Sequence, residues 1–167
     1  MAHSFDILTE SPASVEQLHA TFGREDYWLA RCAASGAPTT LDSLTVDADG
    51  TVTVRIAQHL GRQLLPGVVA KLVPGDLKIL ASETWTSVGD RQVRGQVSVS
   101  APGGLGSGGA EALLAPAGDG AHLYFAGRVE VKIPLVGGKL EKSIVAGFVE
   151  CIPALQRFTA MWISEHP

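Results

Sequence analysis

The sequence predicts an α+β fold: an antiparallel sheet of about six to seven strands wrapped around one long C-terminal helix, with two short helices after the first strand. Three observations carry this reading. After Pro38 the chain alternates apolar and polar residues and is broken by tight turns, Asp49-Gly50, Gly89-Asp90 and Gly118-Asp119-Gly120 among them. Turns this short join antiparallel neighbours, because parallel strands need crossovers of a dozen residues or more. From Lys139 to about Ser164 the apolar residues recur at helical spacing. The apolar face of the sheet must be covered, and that helix is the only element long enough to cover it.

Each element has its own warrant. Residues 3–9 read as a strand with Phe5 and Ile7 on one face. Ser11-Pro12 offers a helix start, and Ser14 with Gln17 offers a second, capping-box start. Val15, Leu18, His19 and Phe22 follow at helical spacing, and Gly23 stops that helix. A second helix runs from Arg24 to Ser35 with Tyr27, Trp28, Ala30 and Cys32 available for burial, closed by Gly36. Leu44 and Val46, then Val52, Val54 and Ile56, alternate around the Asp49-Gly50 hairpin. The apolar stretch 64–73, broken by Pro66-Gly67 and ended by Pro74-Gly75, reads as a short helix or a loop covering the sheet. Leu77, Ile79, Ala81, Glu83 and Trp85 share one strand face, and Val93, Val97 and Val99 share the next. The glycine-rich stretch 102–109 reads as a hairpin loop before a shorter strand near 110–115. Leu123, Phe125, Val129, Val131 and Ile133 mark a long last strand, which Pro134 and Gly137-Gly138 end. The final helix would be roughly 40 Å long. Pro153 lies inside it and leaves the Val149 carbonyl without its helical donor, so a kink is expected.

With 167 residues, the whole chain reads as one domain, 1–167. Hydrophobic residues at 46 % and charged residues at 18 % exclude a disordered chain. A net charge of −4 with no run of Lys or Arg argues against nucleic-acid binding. Cys32 and Cys151 lie about 120 residues apart and form neither a paired-cysteine metal spacing nor a disulfide framework. The stretch Met1-Ala2-His3-Ser4-Phe5-Asp6 lacks the basic segment and apolar core of a secretory signal. No uninterrupted apolar run approaches a membrane span, so no stable membrane insertion is expected. Reduced thiols and a cytoplasmic location follow as expectations.

The motifs Pro12-Ala13-Ser14-Val15-Glu16-Gln17, Asp26-Tyr27-Trp28, Leu65-Pro66-Gly67, Glu83-Thr84-Trp85, Pro134-Leu135-Val136-Gly137-Gly138-Lys139 and Ile152-Pro153-Ala154-Leu155-Gln156-Arg157-Phe158 span nearly the whole chain. In these the sequence resembles an uncharacterised bacterial family, common in actinobacteria, within the START-like superfamily of polyketide cyclases and lipid-transfer proteins. The resemblance implies a helix-grip fold with an apolar cavity between the curved sheet and the C-terminal helix. It implies a hydrophobic small molecule as partner, lipid or polyketide-like, and no cofactor. Sequence features agree with a cavity. A bent helix over a twisted sheet cannot touch it everywhere. Gly95 and Gly127 remove side chains from apolar strand faces. Aromatic residues are only 6 % of the chain, too few to plug a gap.

On this register the cavity walls are Val54, Ile56, Ile79, Trp85, Val97, Phe125, Val129, Phe148, Ile152 and Leu155. Glu83 is the most informative polar residue, since it shares a strand face with Leu77, Ile79, Ala81 and Trp85. Buried there, it must be paired or protonated. It then serves either as an acid or base, as a cyclase, dehydratase or isomerase would need, or as half of an ion pair with an Arg. Gln58 and Arg94 are candidate partners across the sheet. A protein-interaction module of co-chaperone type is a third reading, one that requires a filled core and an exposed apolar patch. Other motifs carry less. Gly104-Leu105-Gly106-Ser107-Gly108-Gly109 matches G-x-G-x-x-G but lacks the following helix of a dinucleotide site. Asp47-Ala48-Asp49-Gly50 lacks the remaining ligands of a calcium loop. His3, His19, His59, His122 and His166 form no metal-ligand pair. The 64–73 segment is read as either a cavity lid or simple packing.

Overall fold

The computed structural model describes residues 2–65, 67–72 and 75–167. Seven strands form one antiparallel sheet: β1 (His3–Ser11), β2 (Thr39–Val46), β3 (Val52–Leu60), β4 (Leu77–Gly89), β5 (Gln92–Ser100), β6 (Gly106–Ala117) and β7 (Gly120–Val131). They lie in the order β1-β7-β6-β5-β4-β3-β2, so β1 and β2 are the edges. Helices α1 (Val15–Phe22) and α2 (Glu25–Ala33) follow β1, a single turn α3 (Gly67–Ala70) lies between β3 and β4, and α4 (Gly137–Glu165) closes the chain. This is the predicted helix-grip arrangement.

Local chemistry explains the boundaries. Of the two helix starts, the second is used: Gln17 N–H donates to Ser14 Oγ at 3.1 Å, and Ser14 N–H donates to Gln17 Oε1 at 2.9 Å. Ser11 cannot start a helix because it is still paired with Ala121 in the β1–β7 ladder. The β4–β5 turn is shifted by one residue from the predicted Gly89-Asp90. Asp90 and Arg91 both take positive φ, 53° and 59°, which suits a two-residue hairpin loop. In the 64–73 segment, α3 supplies the short helix, whereas Pro66, Val73 and Pro74, and with them the Pro74-Gly75 turn, lie outside the described residues.

One prediction about glycine is corrected. The second half of the stretch 102–109 is strand, since β6 starts at Gly106 and pairs on both sides, Gly108 with Val99 and with Val129. Glycine has little intrinsic preference for strands, so only the two flanking strands hold this segment in the sheet. The sheet ends at Val131, ahead of Pro134, and Gly137 and Gly138 open α4. A Cβ on Gly137 would lie 2.5 Å from the Val131 carbonyl oxygen, so only glycine lets the helix start this close to β7. The helix runs on through Pro153.

The inward face of the sheet is set by register. One row across it reads Phe5, Gly127, Ala110, Val97, Glu83, Val54 and Leu44. The packed core lies at the α1–α2 end, where Leu18, Tyr27, Trp28 and Leu114 are fully buried. The Phe22 and Trp85 rings lie tilted with centroids 4.7 Å apart, and Tyr27 meets Trp162 edge-on at 5.4 Å. The Trp28 indole N–H donates to the Phe22 carbonyl at 2.7 Å, satisfying a free group at the end of α1.

Candidate functional site: two cavities beneath α4

Two cavities lie between the sheet and α4. The smaller, about 210 Å³, is bordered by Glu83, Trp85, Val97, Phe125, Phe148, Ile152 and Leu155, all expected as walls. The larger, about 420 Å³, is bordered by Ile79, Val129 and Phe148 of the expected set, together with Leu65, Val69, Leu105 and Leu140. Val99, Gly108 and Phe148 border both. Val54 and Ile56 border neither. They lie on the predicted face, but α2 packs over β2 beside them, and Val54 joins the core of Tyr27 and Trp28 with Ile56 against it.

The hollow does not come from the glycines expected to make it. A Cβ on Gly95 would meet the Trp85 ring at 2.5 Å, and one on Gly127 would meet Phe5 Cε1 at 3.1 Å. Those positions are filled by aromatic rings from the neighbouring strands. The glycines that do border the cavities are Gly106, Gly108 and Gly109 of β6, the segment that reads as a loop.

Glu83 faces inward and is 8 % exposed. The Trp85 indole N–H donates to its Oε1 at 3.1 Å, and the Arg31 guanidinium stands 3.6 Å from its Oε2. The partner is therefore an Arg, but it arrives from α2 and not across the sheet: Arg94 is exposed on β5, and Gln58 lies in the larger cavity. Arg31 also lies over the Trp28 ring, 4.7 Å from its centroid. Burial works against the Arg31 charge, yet Tyr27 and Glu83 beside it outweigh that, and its pKa is raised. Sequence reading missed Arg31. The available signal was its position one helical turn after Tyr27 and Trp28, which puts it on the same buried face.

Other polar groups surround this pair. The Thr159 hydroxyl donates to the Leu155 carbonyl at 2.8 Å and receives the Tyr27 O–H at 2.7 Å. Gln156 borders the smaller cavity, and its Nε2 has no partner among the described residues. At the other end of α4, Glu141 is fully buried. Its Oε2 accepts the Val131 N–H at 2.8 Å, and its Oε1 lies 2.8 Å from His3 Nδ1. These contacts, the Val131 bond foremost, hold the Glu141 carboxyl below its ordinary range and fasten α4 to β7 and β1. Among the described residues, no three His, Cys, Asp or Glu side chains are grouped to hold a metal ion. By length and composition α4 is apolar enough to cross a membrane. Of its apolar residues, Leu140, Ile144, Phe148, Ile152 and Leu155 line the cavities, while Val149 and Met161 are exposed.

Residues 6–163 match the model of a family described as a protein of unknown function, DUF2505. The chain belongs to this family. An uncharacterized protein of Mycobacterium tuberculosis is 34 % identical over 176 residues, covering 99 % of each chain, and one from Mycobacterium bovis matches equally. Among solved structures, TTHA0849 from Thermus thermophilus superposes with a TM-score of 0.58 at 16 % identity over 98 % of each chain. Ara h 8.0201 gives 0.59 at 9 % identity, covering 99 % of this chain and 100 % of its own. Norcoclaurine synthase from Thalictrum flavum, solved with dopamine and hydroxybenzaldehyde, gives 0.53 at 16 % identity, covering 100 % of this chain and 89 % of its own. At these identities the likeness shows the fold alone, the START-like helix grip.

Proposed function

We propose that this DUF2505 member acts as one domain that binds or carries an apolar small molecule, lipid or polyketide-like, between its sheet and α4. The observation that carries the proposal is the pair of cavities. Their walls are mostly aliphatic and aromatic, with Glu83, Arg31 and Gln156 among the polar residues of the smaller and Gln58, Ser107 and Ser143 among those of the larger. Pockets that bind small molecules are commonly built this way, apolar with a few polar groups that orient the ligand. Affinity comes from apolar ligand surface removed from water, about 25 cal/mol per Å². The norcoclaurine synthase complex supports the reading, because it holds small aromatic molecules in the same fold. Free Cys32 and Cys151 fit a reducing, cytoplasmic setting.

A catalytic reading rests on the Glu83 carboxylate bordering the cavity. The contacts to both its oxygens favour positioning over proton transfer. Loss of turnover in Glu83→Gln with binding retained would restore the catalytic reading. The cavities weigh against a co-chaperone-type module, which needs a filled core. Native and denaturing mass spectrometry of gently purified protein tests the carriage proposal. Extra mass in the native spectrum alone is expected. A bare mass, together with no uptake of any apolar probe, overturns it.

A further inference from the structure

We infer that the end of the molecule holding the larger cavity docks on an anionic lipid surface. The lysines of the chain are Lys71, Lys78, Lys132, Lys139 and Lys142. The fold gathers all of them at this end. Lys71 follows α3, Lys78 is near the start of β4, Lys132 follows β7, and Lys139 and Lys142 lie early in α4. All are exposed. The turns at the opposite end carry Asp47, Asp49, Asp90 and Asp119 instead, and Arg91 among them is bonded to Glu16. A net charge of −4 therefore conceals a basic end on an acidic protein. Nearby carboxylates do little to cancel it. Glu130 stands 3.6 Å from Lys132, Asp76 accepts the Arg62 backbone N–H, and Glu141 is fully buried against Val131 and His3. Among the described residues, Lys71, Lys78, Lys139 and Lys142 join no ion pair.

Two leucines decide which anionic partner fits. Leu135, in the β7–α4 connection, is fully exposed, and its φ of 74° lies in the left-handed region that favours glycine. Leu72, just after α3, is also exposed. Val69 and Ile133, from the same two segments, share one apolar cluster, so both leucines flank it. A leucine strained in its backbone and packed on nothing adds nothing to the fold. Exposed aliphatic tips among lysines match a bilayer interface. The tips enter the acyl boundary, and the ammoniums meet the anionic headgroups. Lysine suits such a partner, because its flexible point charge fixes no geometry, whereas a shaped acidic site on a protein favours the arginine fork. Docking of this kind lies on the surface and inserts no span.

Sedimentation of the full chain with lipid vesicles tests this, using phosphatidylcholine alone and phosphatidylcholine mixed in equal parts with phosphatidylglycerol. The chain is expected to sediment with the anionic vesicles only, and to leave them as salt is raised. Each lysine near an anionic surface is worth about fivefold in affinity, so Lys139→Gln/Lys142→Gln is expected to bind about 25-fold more weakly. Leu135→Gly suits the local backbone and removes the apolar tip. It is expected to bind roughly tenfold more weakly, with its melting temperature little changed. Arg91→Gln, at the acidic end, is expected to bind as the wild type does. No sedimentation with the anionic vesicles, or equal sedimentation with both lipids, overturns the inference. Binding that the lysine variant leaves unchanged does the same. So does binding that Leu135→Gly leaves unchanged, which reduces this end to a general attraction for polyanions, soluble acidic proteins included. None of these outcomes overturns the apolar-ligand reading, since no cavity ligand is scored.

Discussion

The inward side chains of β6 run Gly106, Gly108, Ala110, Ala112 and Leu114 from one end of the molecule to the other, and the core changes with them. At the Leu114 end, Phe22, Tyr27, Trp28, Trp85 and Trp162 pack ring against ring. At the glycine end, the same sheet and the same helix border the larger cavity, and the smaller one reaches from Gly108 up to Leu114, Phe22 and Trp85. Strand pairing does not separate the two ends, since β6 is laddered to β7 along its whole length and to β5 from Ser107 to Leu114. Side-chain volume along this strand separates the two regions. Glycine alone does not make a hollow: Gly95 and Gly127 sit under rings, whereas Gly106 and Gly108 do not. A helix held at both ends cannot settle onto a sheet whose middle rows have become small. Glu141 holds one end of α4, and the Tyr27–Thr159 bond holds the other.

If the packed end carries the stability, its largest side chains should dominate unfolding. Trp28→Ala is expected to cost about 3–5 kcal/mol in urea denaturation, losing both volume and the indole bond to Phe22. A cost below about 1 kcal/mol would break the division between the two regions. Where the regions meet, Arg31→Met leaves Glu83 buried with only the Trp85 indole as partner. The expected cost is about 2–3 kcal/mol. The double variant Arg31→Met/Glu83→Gln should recover most of it, because no unmatched charge remains. At the hollow end the sign reverses. Ala81→Leu fills space in the smaller cavity and is expected to raise stability by about 0.5–2 kcal/mol. The same change should weaken binding of an apolar fluorophore more than tenfold. Destabilisation by Ala81→Leu would mean that the cavity is already closely packed.

The packed end was also the more legible in sequence. Tyr27, Trp28 and Phe22 announce burial by residue type, and the Ser14–Gln17 box marks where the helix of Phe22 begins. The inward position of Glu83 followed from parity with Trp85 on a strand whose alternation is unbroken. The hollow end was harder to read because a cavity is an absence of side chains. Glycines in a strand look like a loop until both flanking strands are known, which is why β6 was foreshortened. Arg31 and Glu141 were missed for a related reason. Charged residues on helices read as solvent-facing, and only the tertiary partners, Glu83 for one and the Val131 N–H for the other, reveal that they point inward.

The smallest effects compare two carboxylates, one in each region. On the packed side, Arg91 in the β4–β5 turn donates to exposed Glu16 of α1 at 2.7 and 3.3 Å, and this bond lowers the Glu16 pKa to about 2. On the hollow side, Glu141 is also lowered, but by a buried backbone N–H and by His3. A depressed carboxylate stabilises the fold above its unfolded pKa, 4.5 for both, and loses that contribution as pH falls through the folded value. Both contributions therefore fade below about pH 4.5, with that of Glu16 reaching down to about pH 2. They should separate by salt. An exposed pair is screened at high ionic strength, whereas a buried hydrogen bond is not. Glu16→Gln is expected to leave the melting temperature unchanged at neutral pH and physiological salt, and to alter its acid limb only at low salt. Glu141→Gln should lower the melting temperature at neutral pH at every salt concentration, since the amide offers a weaker acceptor to Val131 and His3. If the Glu141→Gln effect vanishes at high salt, α4 is tethered by charge alone, and the cavity end is held more loosely than the hydrogen bonds indicate.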